Sequence, residues 1–169
     1  MNEQNEQNEM LAGIDSEKFR AQLAETCKTV FAGGTLRDLK GVTDGEMESL
    51  YAVAYNYYAT GHYEEADTVF RFLVRLDHTN AKMWIGLGAV QQVRKDFENA
   101  VASFAYASFL DLEDPKPQYY AAQCFLALGD LKSAESALAA LDQYAPKDSP
   151  FREKAKKLQE RIEKSKSAQ

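Results

Sequence analysis

Three stretches of the chain, 47–80, 81–114 and 115–148, align at a spacing of 34 residues without a gap. Position 8 of the three copies reads Ala54, Gly88 and Ala122, and position 20 reads Ala66, Ala100 and Ala134. Position 24 gives Phe70, Phe104 and Leu138, and position 17 gives Tyr63, Phe97 and Leu131. A period of this length marks one supersecondary unit in tandem. Such a unit cannot bury its apolar face alone and must stack on its neighbours. Each copy reads as two antiparallel helices. Positions 8 and 20 are expected where those helices come closest, since only Gly or Ala lets the backbones meet. Larger apolar groups around the contact interdigitate, each burial contributing about 1.5–3 kcal/mol. The turns inside the copies read Thr60-Gly61-His62, Lys95-Asp96 and Leu128-Gly129-Asp130. Glycine there supplies the left-handed residue that ends a helix. The middle copy departs twice, with Lys95 for the turn glycine and Gln91 for the aromatic that Tyr57 and Phe125 provide at position 11.

The period, with Trp84-x-x-Leu87-Gly88 and Ala100-x-x-x-Phe104 in the second copy, is that of the tetratricopeptide repeat. The predicted fold is all-α, a tetratricopeptide α-α superhelix of three repeats with an N-terminal helix and a C-terminal capping helix. Residues 1–15 read as a disordered tail and 16–46 as an N-terminal helical region. The repeats fill 47–148, a capping helix 149–164 and a tail 165–169. Ser16 opens a helix to about Val30, Ala32-Gly33-Gly34 breaks it, and Thr35–Leu39 forms a short helical turn. Ser149-Pro150 starts the last helix, where a proline in the first turn gives up no needed N–H. Phe151, Ala155, Leu158 and Ile162 give that helix one apolar stripe, suited to covering the open end of the last repeat.

Charge and composition narrow the function. The net charge of −6 speaks against nonspecific nucleic-acid binding, which needs clustered Lys and Arg. The basic stretch from Pro150 onward reads as a solvated helix face. No apolar run approaches a membrane span, and the opening MNEQNEQNEM has neither a basic nor an apolar leader segment, so a cytoplasmic location is expected. Cys27 and Cys124 are far apart, form no CxxC pair, and read as small buried hydrophobes. No cofactor or metal site is expected. Gly86-Leu87-Gly88 lacks the third glycine of a dinucleotide loop, and Gly33-Gly34-Thr35 lacks the lysine of a phosphate loop. No nucleophile is paired with a base, so no enzyme is expected.

A binding role then falls to the first helix of each repeat, whose positions 2, 5, 9 and 12 line the concave face. They are Glu48, Tyr51, Tyr55 and Tyr58, then Lys82, Ile85, Ala89 and Gln92, then Lys116, Tyr119, Gln123 and Leu126. Tyr51, Tyr55 and Tyr58 are surplus to the repeat core. They either wall a channel for an extended apolar peptide or pack against the N-terminal helix. Tyrosine suits the first role, with wide contact area, little entropy to lose and a hydroxyl for a peptide backbone. Adaptors of the heat-shock chaperones hold a carboxylate with Lys at position 5 and Asn at position 9. Tyr51 and Tyr55 stand there instead, and Gly86 stands where repeat two would supply another Asn, so no cationic clamp forms.

The run GGTLRDLKGV, then LYAVAYNYYATGHYEEADTVFRFLVRLD, GLGAVQQ and YYAAQCFLALG, resembles the class II chaperones of bacterial type III secretion, the SycD/LcrH and IpgC/SicA family. The likeness covers about Ser16 to Phe151 and includes the Gly-Gly-Thr-Leu segment that generic tetratricopeptides lack. It implies a cytoplasmic, dimeric chaperone holding two hydrophobic translocator proteins. An extended segment of each would lie along Tyr51, Tyr55, Tyr58, Ile85, Ala89 and Tyr119, with Gln91 and Gln92 flanking it. Some members of the family also co-activate a transcription regulator, so the resemblance adds an AraC-type regulator to the expected partners. Phe19, Leu23 and Cys27 either mediate dimerisation or pack on repeat one. A generic interaction scaffold is the alternative reading.

Overall fold

The computed structural model describes residues 16–167, without the side chains of Ser16, Phe19, Ser165 and Ser167. The tail read over 1–15 lies outside the described residues. The described residues are helical throughout, without strands, and divide at Val42/Thr43 into two units.

The N-terminal unit holds α1 (Ser16–Phe31) and α2 (Leu36–Lys40). Between them Gly34 makes a close approach, since a Cβ there would meet Thr29 Cγ2 at 2.5 Å and Thr29 O at 2.9 Å. Thr35 caps α2 through a reciprocal capping box with Asp38, and Gly41 closes it at φ 67°. These bonds to Thr35 hold the Asp38 carboxyl below the usual carboxylate range.

The second unit holds three helix pairs and a final helix. The pairs are α3 (Asp44–Ala59) with α4 (Tyr63–Leu76), α5 (Ala81–Val93) with α6 (Phe97–Leu110), and α7 (Pro115–Ala127) with α8 (Leu131–Tyr144). Each first helix begins on a residue whose side chain accepts a backbone N–H. These are Thr43 from Glu46, Asn80 from Lys82 and Asp114 from Lys116. The turn inside each pair carries one left-handed residue, at Gly61 (φ 83°), Lys95 (φ 63°) and Gly129 (φ 78°). The middle repeat therefore keeps the turn without its glycine, and Lys95 bears the steric cost.

The small residues at positions 8 and 20 are all buried, five of them 0% exposed and Gly88 beside them. A Cβ at Gly88 would stand 2.7 Å from Phe104 Cε1, within its own repeat. One at Gly86 would stand 2.1 Å from Cε1 of Phe70, in the preceding repeat. One glycine thus permits the pairing of helices within a repeat, and the other permits the stacking of one repeat on the next.

The last helix, α9 (Pro150–Ser167), buries Ala155, Leu158 and Ile162 against Leu138 and Leu141 of the final repeat. It runs to Ser167, so residues 165–167, read from the sequence as tail, belong to the helix. Its amphipathic pattern ends at Ile162, which hides the last turn from a periodicity argument. Arg152 ties α9 to the end of α8. Its Nε donates to the carbonyl of Pro146 at 3.1 Å, and Nη2 to those of Asp142 at 2.7 Å and Ala145 at 2.8 Å. An ion pair with the Asp142 carboxylate completes the clamp. These bonds satisfy carbonyls that a helix end leaves without partners.

Candidate functional site

The first helices of neighbouring repeats touch directly, α3 with α5 and α5 with α7. Positions 2, 5, 9 and 12 fall on one side of each helix at 3.6 residues per turn. Bonds between and within repeats join these positions. Lys82 Nζ donates to both carboxylate oxygens of Glu48 at 3.0 and 2.9 Å. Gln92 Nε2 donates to Gln123 Oε1 at 3.2 Å, and Gln123 Nε2 donates to Tyr119 Oη at 3.2 Å. One end of this inner face is thus bordered by an ion pair and the other by an amide ladder.

The tyrosines of α3 stand in three different settings. Tyr51 is half-buried, its ring edge-on to Phe70 at 5.6 Å, with Lys82 Nζ 4.1 Å from its centroid. Tyr55 is 56% exposed and meets Tyr58 at a centroid distance of 6.3 Å. Tyr58 is half-buried against Tyr63 at 6.0 Å. Burial raises the pKa of Tyr51, opposed chiefly by the Lys82 ammonium and more weakly by Lys116 of repeat three. Burial also raises that of Tyr58, assisted by Tyr63, then Tyr120 of repeat three, then Tyr55. Both phenols therefore keep their O–H through neutral pH and can donate to a peptide carbonyl.

Ile85 is partly buried against the core of repeats two and three, and Leu126 against the core shared with α9. Ala89 lies between exposed and buried. Tyr119 packs edge-on to Phe151 at 5.4 Å and to Tyr120 at 5.6 Å. Tyr120 also meets Phe104 at 5.6 Å, and Lys154 Nζ sits 4.4 Å from the Phe151 ring. Tyr120 and Phe151 escape the sequence argument. The first sits at position 6, outside the inner-face set, and the second belongs to the capping helix.

Two expectations are corrected. Gln91 does not flank the inner face, because position 11 turns toward the second helix of the same repeat. The residue is 2% exposed, and its Oε1 accepts from Ser103 Oγ at 2.7 Å. Cys27 is not a buried hydrophobe but exposed on α1, whereas Cys124 is 0% exposed. Leu23 on α1 is 51% exposed, and beyond it Val30 and Phe31 are 58% and 89% exposed. The side chain of Phe19 lies outside the described residues. Among the described residues no three His, Cys, Asp or Glu side chains are grouped to hold a metal, and no helix is long and apolar enough to cross a membrane.

Comparison with known proteins identifies this architecture. Residues 47–80 match the family model of the tetratricopeptide repeat. The chain is 30% identical over 149 residues to low calcium response locus protein H of Yersinia pestis, covering 88% of this chain and 87% of that one. A type III secretion complex from Aeromonas hydrophila contains a chain of the same fold. The TM-score is 0.77 at 32% identity, over 86% of this chain and 97% of that one. The type III secretion chaperone SycD of Yersinia enterocolitica, solved with a peptide of the translocator YopD, matches at a TM-score of 0.69 and 32% identity, over 74% and 98% of the two chains. With the repeat, the fold and the coverage in agreement, this chain belongs to the tetratricopeptide family of type III secretion translocator chaperones.

Proposed function

We propose that this chain is a cytoplasmic chaperone that masks two hydrophobic translocator proteins by holding an extended segment of each on the inner face of its repeats. Tyr51, Tyr55, Tyr58, Ile85, Ala89, Gln92, Tyr119, Gln123 and Leu126 form the receiving surface in this reading. One observation carries it. Tyr55 is 56% exposed on the same helix side as the half-buried Tyr51 and Tyr58, which leaves an accessible aromatic surface for an apolar segment to cover. The Gln92–Gln123–Tyr119 ladder supplies amide groups suited to an extended backbone. A protein destined to insert in a membrane carries apolar segments that aggregate early, and covering one at moderate affinity prevents this while permitting release. The exposed side of α1, with Leu23 and Cys27, is assigned to a homodimer contact, together with Phe19. The co-activator role implied by the resemblance draws no support from the arrangement of these side chains.

The test is calorimetric titration with synthetic segments of translocators encoded beside the chaperone, after co-expression and pull-down have identified them. Tyr51→Ala combined with Tyr58→Ala should weaken binding by about 30-fold or more, the effect of truncating buried anchors worth about 1 kcal/mol each or more. Far-UV circular dichroism should stay unchanged. Wild-type affinity in that double variant would remove the assignment.

A further inference from the structure

The middle repeat differs from its neighbours at positions that the fold gathers in one place. Trp84 stands where the others have Leu50 and Gln118, Gln91 where they have Tyr57 and Phe125, and Ser103 where they have Val69 and Ala137. With Arg71, Leu87 and Tyr106 these residues line a cleft of about 340 Å³ between α4, α5 and α6. At 100° per residue along α5, Trp84, Leu87 and Gln91 point away from Ile85, Ala89 and Gln92. The cleft therefore opens about 130° round the helix from the inner face, and both can be occupied together.

Its polar groups have unspent capacity, chiefly as donors. Gln91 is 2% exposed and uses Oε1 to accept from Ser103, while its Nε2 meets no acceptor among the described residues. That amide N–H is therefore a donor without a protein acceptor at the wall of the cleft, where a ligand oxygen can take it. Arg71 spends its Nε on the Asp67 carboxylate, and its Nη groups have no acceptor among the described residues. Asn99, exposed on the lining, turns its amide nitrogen to Asp96. The wall is aromatic. Trp84 and Tyr106 lie at a centroid distance of 4.6 Å, and the indole is pinned by its Nε1 donating to the carbonyl of His78 at 2.9 Å. Tyr106 leads on to Phe109 at 6.4 Å, which is 77% exposed.

We infer that this cleft is a second peptide-binding site, taking a partner segment in which an aromatic side chain adjoins a carbonyl or carboxylate. The partner's ring packs on the Trp84–Tyr106–Phe109 shelf, where offset and edge contacts between rings are favourable. Its acceptor oxygen takes the Gln91 amide and the free edge of Arg71. Asp67 beneath Arg71 leaves too little positive charge for a phosphate, whereas a carbonyl or single carboxylate matches what remains. The proposal does not depend on what occupies the inner face.

Trp84 is the one tryptophan of the sequence, so its emission reads this cleft directly. The full chain is titrated with the blocked peptide Ac-Ala-Phe-Asp-Ala-NH2, with Ac-Ala-Ala-Ala-Ala-NH2 as control. A saturable change in emission is expected with the first peptide and none with the second. Gln91→Leu, which keeps the buried volume apolar, should weaken binding about fivefold through loss of one hydrogen bond. The half-exposed Arg71→Ala should weaken it similarly with the melting curve little changed, and Tyr55→Ala should leave it unaltered. Three results would each overturn the inference. They are no saturable change up to the solubility of the peptide, wild-type binding in both Gln91→Leu and Arg71→Ala, or binding lost in Tyr55→Ala.

Discussion

Replacing Gly86 by Ala sets two well-calibrated effects against each other. Inside a helix, Ala is favoured over Gly by about 0.8–1 kcal/mol, because Gly gives up more backbone freedom on folding. Here the added methyl would lie 2.1, 2.6 and 2.8 Å from Cε1, Cζ and Cδ1 of Phe70. Phe70 is 2% exposed, and Tyr51 meets its ring edge-on, so the ring has little space to retreat into. Overpacking of this kind costs about 1–3 kcal/mol, which outweighs the propensity gain. The net expectation is a loss of about 1 kcal/mol, or a melting temperature lower by about 2–4 °C. Gly45 is the internal control. It lies in the first turn of α3 with nothing within 4 Å of an added Cβ, so Gly45→Ala should raise stability slightly. Urea unfolding followed by circular dichroism measures both. A Gly86→Ala midpoint at or above wild type would refute the close repeat-to-repeat contact.

Lys95→Gly should stabilise the fold by about 0.5–1 kcal/mol and so raise the urea midpoint, since it relieves a left-handed residue at φ 63°, and a lowered midpoint would contradict that turn. Ala100→Glu should abolish the helical signal at 25 °C, because a carboxylate at a 0% exposed helix contact has no partner, and a wild-type spectrum would overturn the pairing of α5 and α6. The two thiols should separate by reagent. Burial pushes the Cys124 thiol up to about 12, so its thiolate is scarce at pH 8 and appears only above that value. One equivalent of Ellman's reagent should react quickly in the native protein, at exposed Cys27, and two in denaturant. Two fast equivalents in the native state would contradict the burial of Cys124.

Much of the fold is legible in the sequence because the 34-residue period fixes which residues must be small. Ala54, Ala66, Ala100, Ala122 and Ala134 need no knowledge of partners to be placed, since nothing larger fits where two helices cross. The failures occur where a residue's role depends on something outside the period. Gln91 reads as a polar residue near the inner face, but its fate is decided by Ser103, twelve residues on, where the other repeats offer no hydroxyl. Cys27 follows an apolar spacing on α1, and spacing cannot tell a face that is covered from one that is not. Phe151 opens the capping helix by its sequence, yet its ring joins Tyr119 and Tyr120 across a boundary that no repeat alignment crosses.

The clamp that Arg152 forms on the carbonyls of Asp142 and Ala145 closes one end of the array. With those groups satisfied and the apolar surface of the third repeat covered by α9, no further unit stacks on that end. Neighbouring packed helices lie about 8–10 Å apart, so the three first helices span about 20 Å from axis to axis. An extended chain advances about 3.3 Å per residue, so a strand laid across them is measured at about six residues. The stop at α9 thus makes the stack a ruler, and any longer apolar segment must continue beyond its edges.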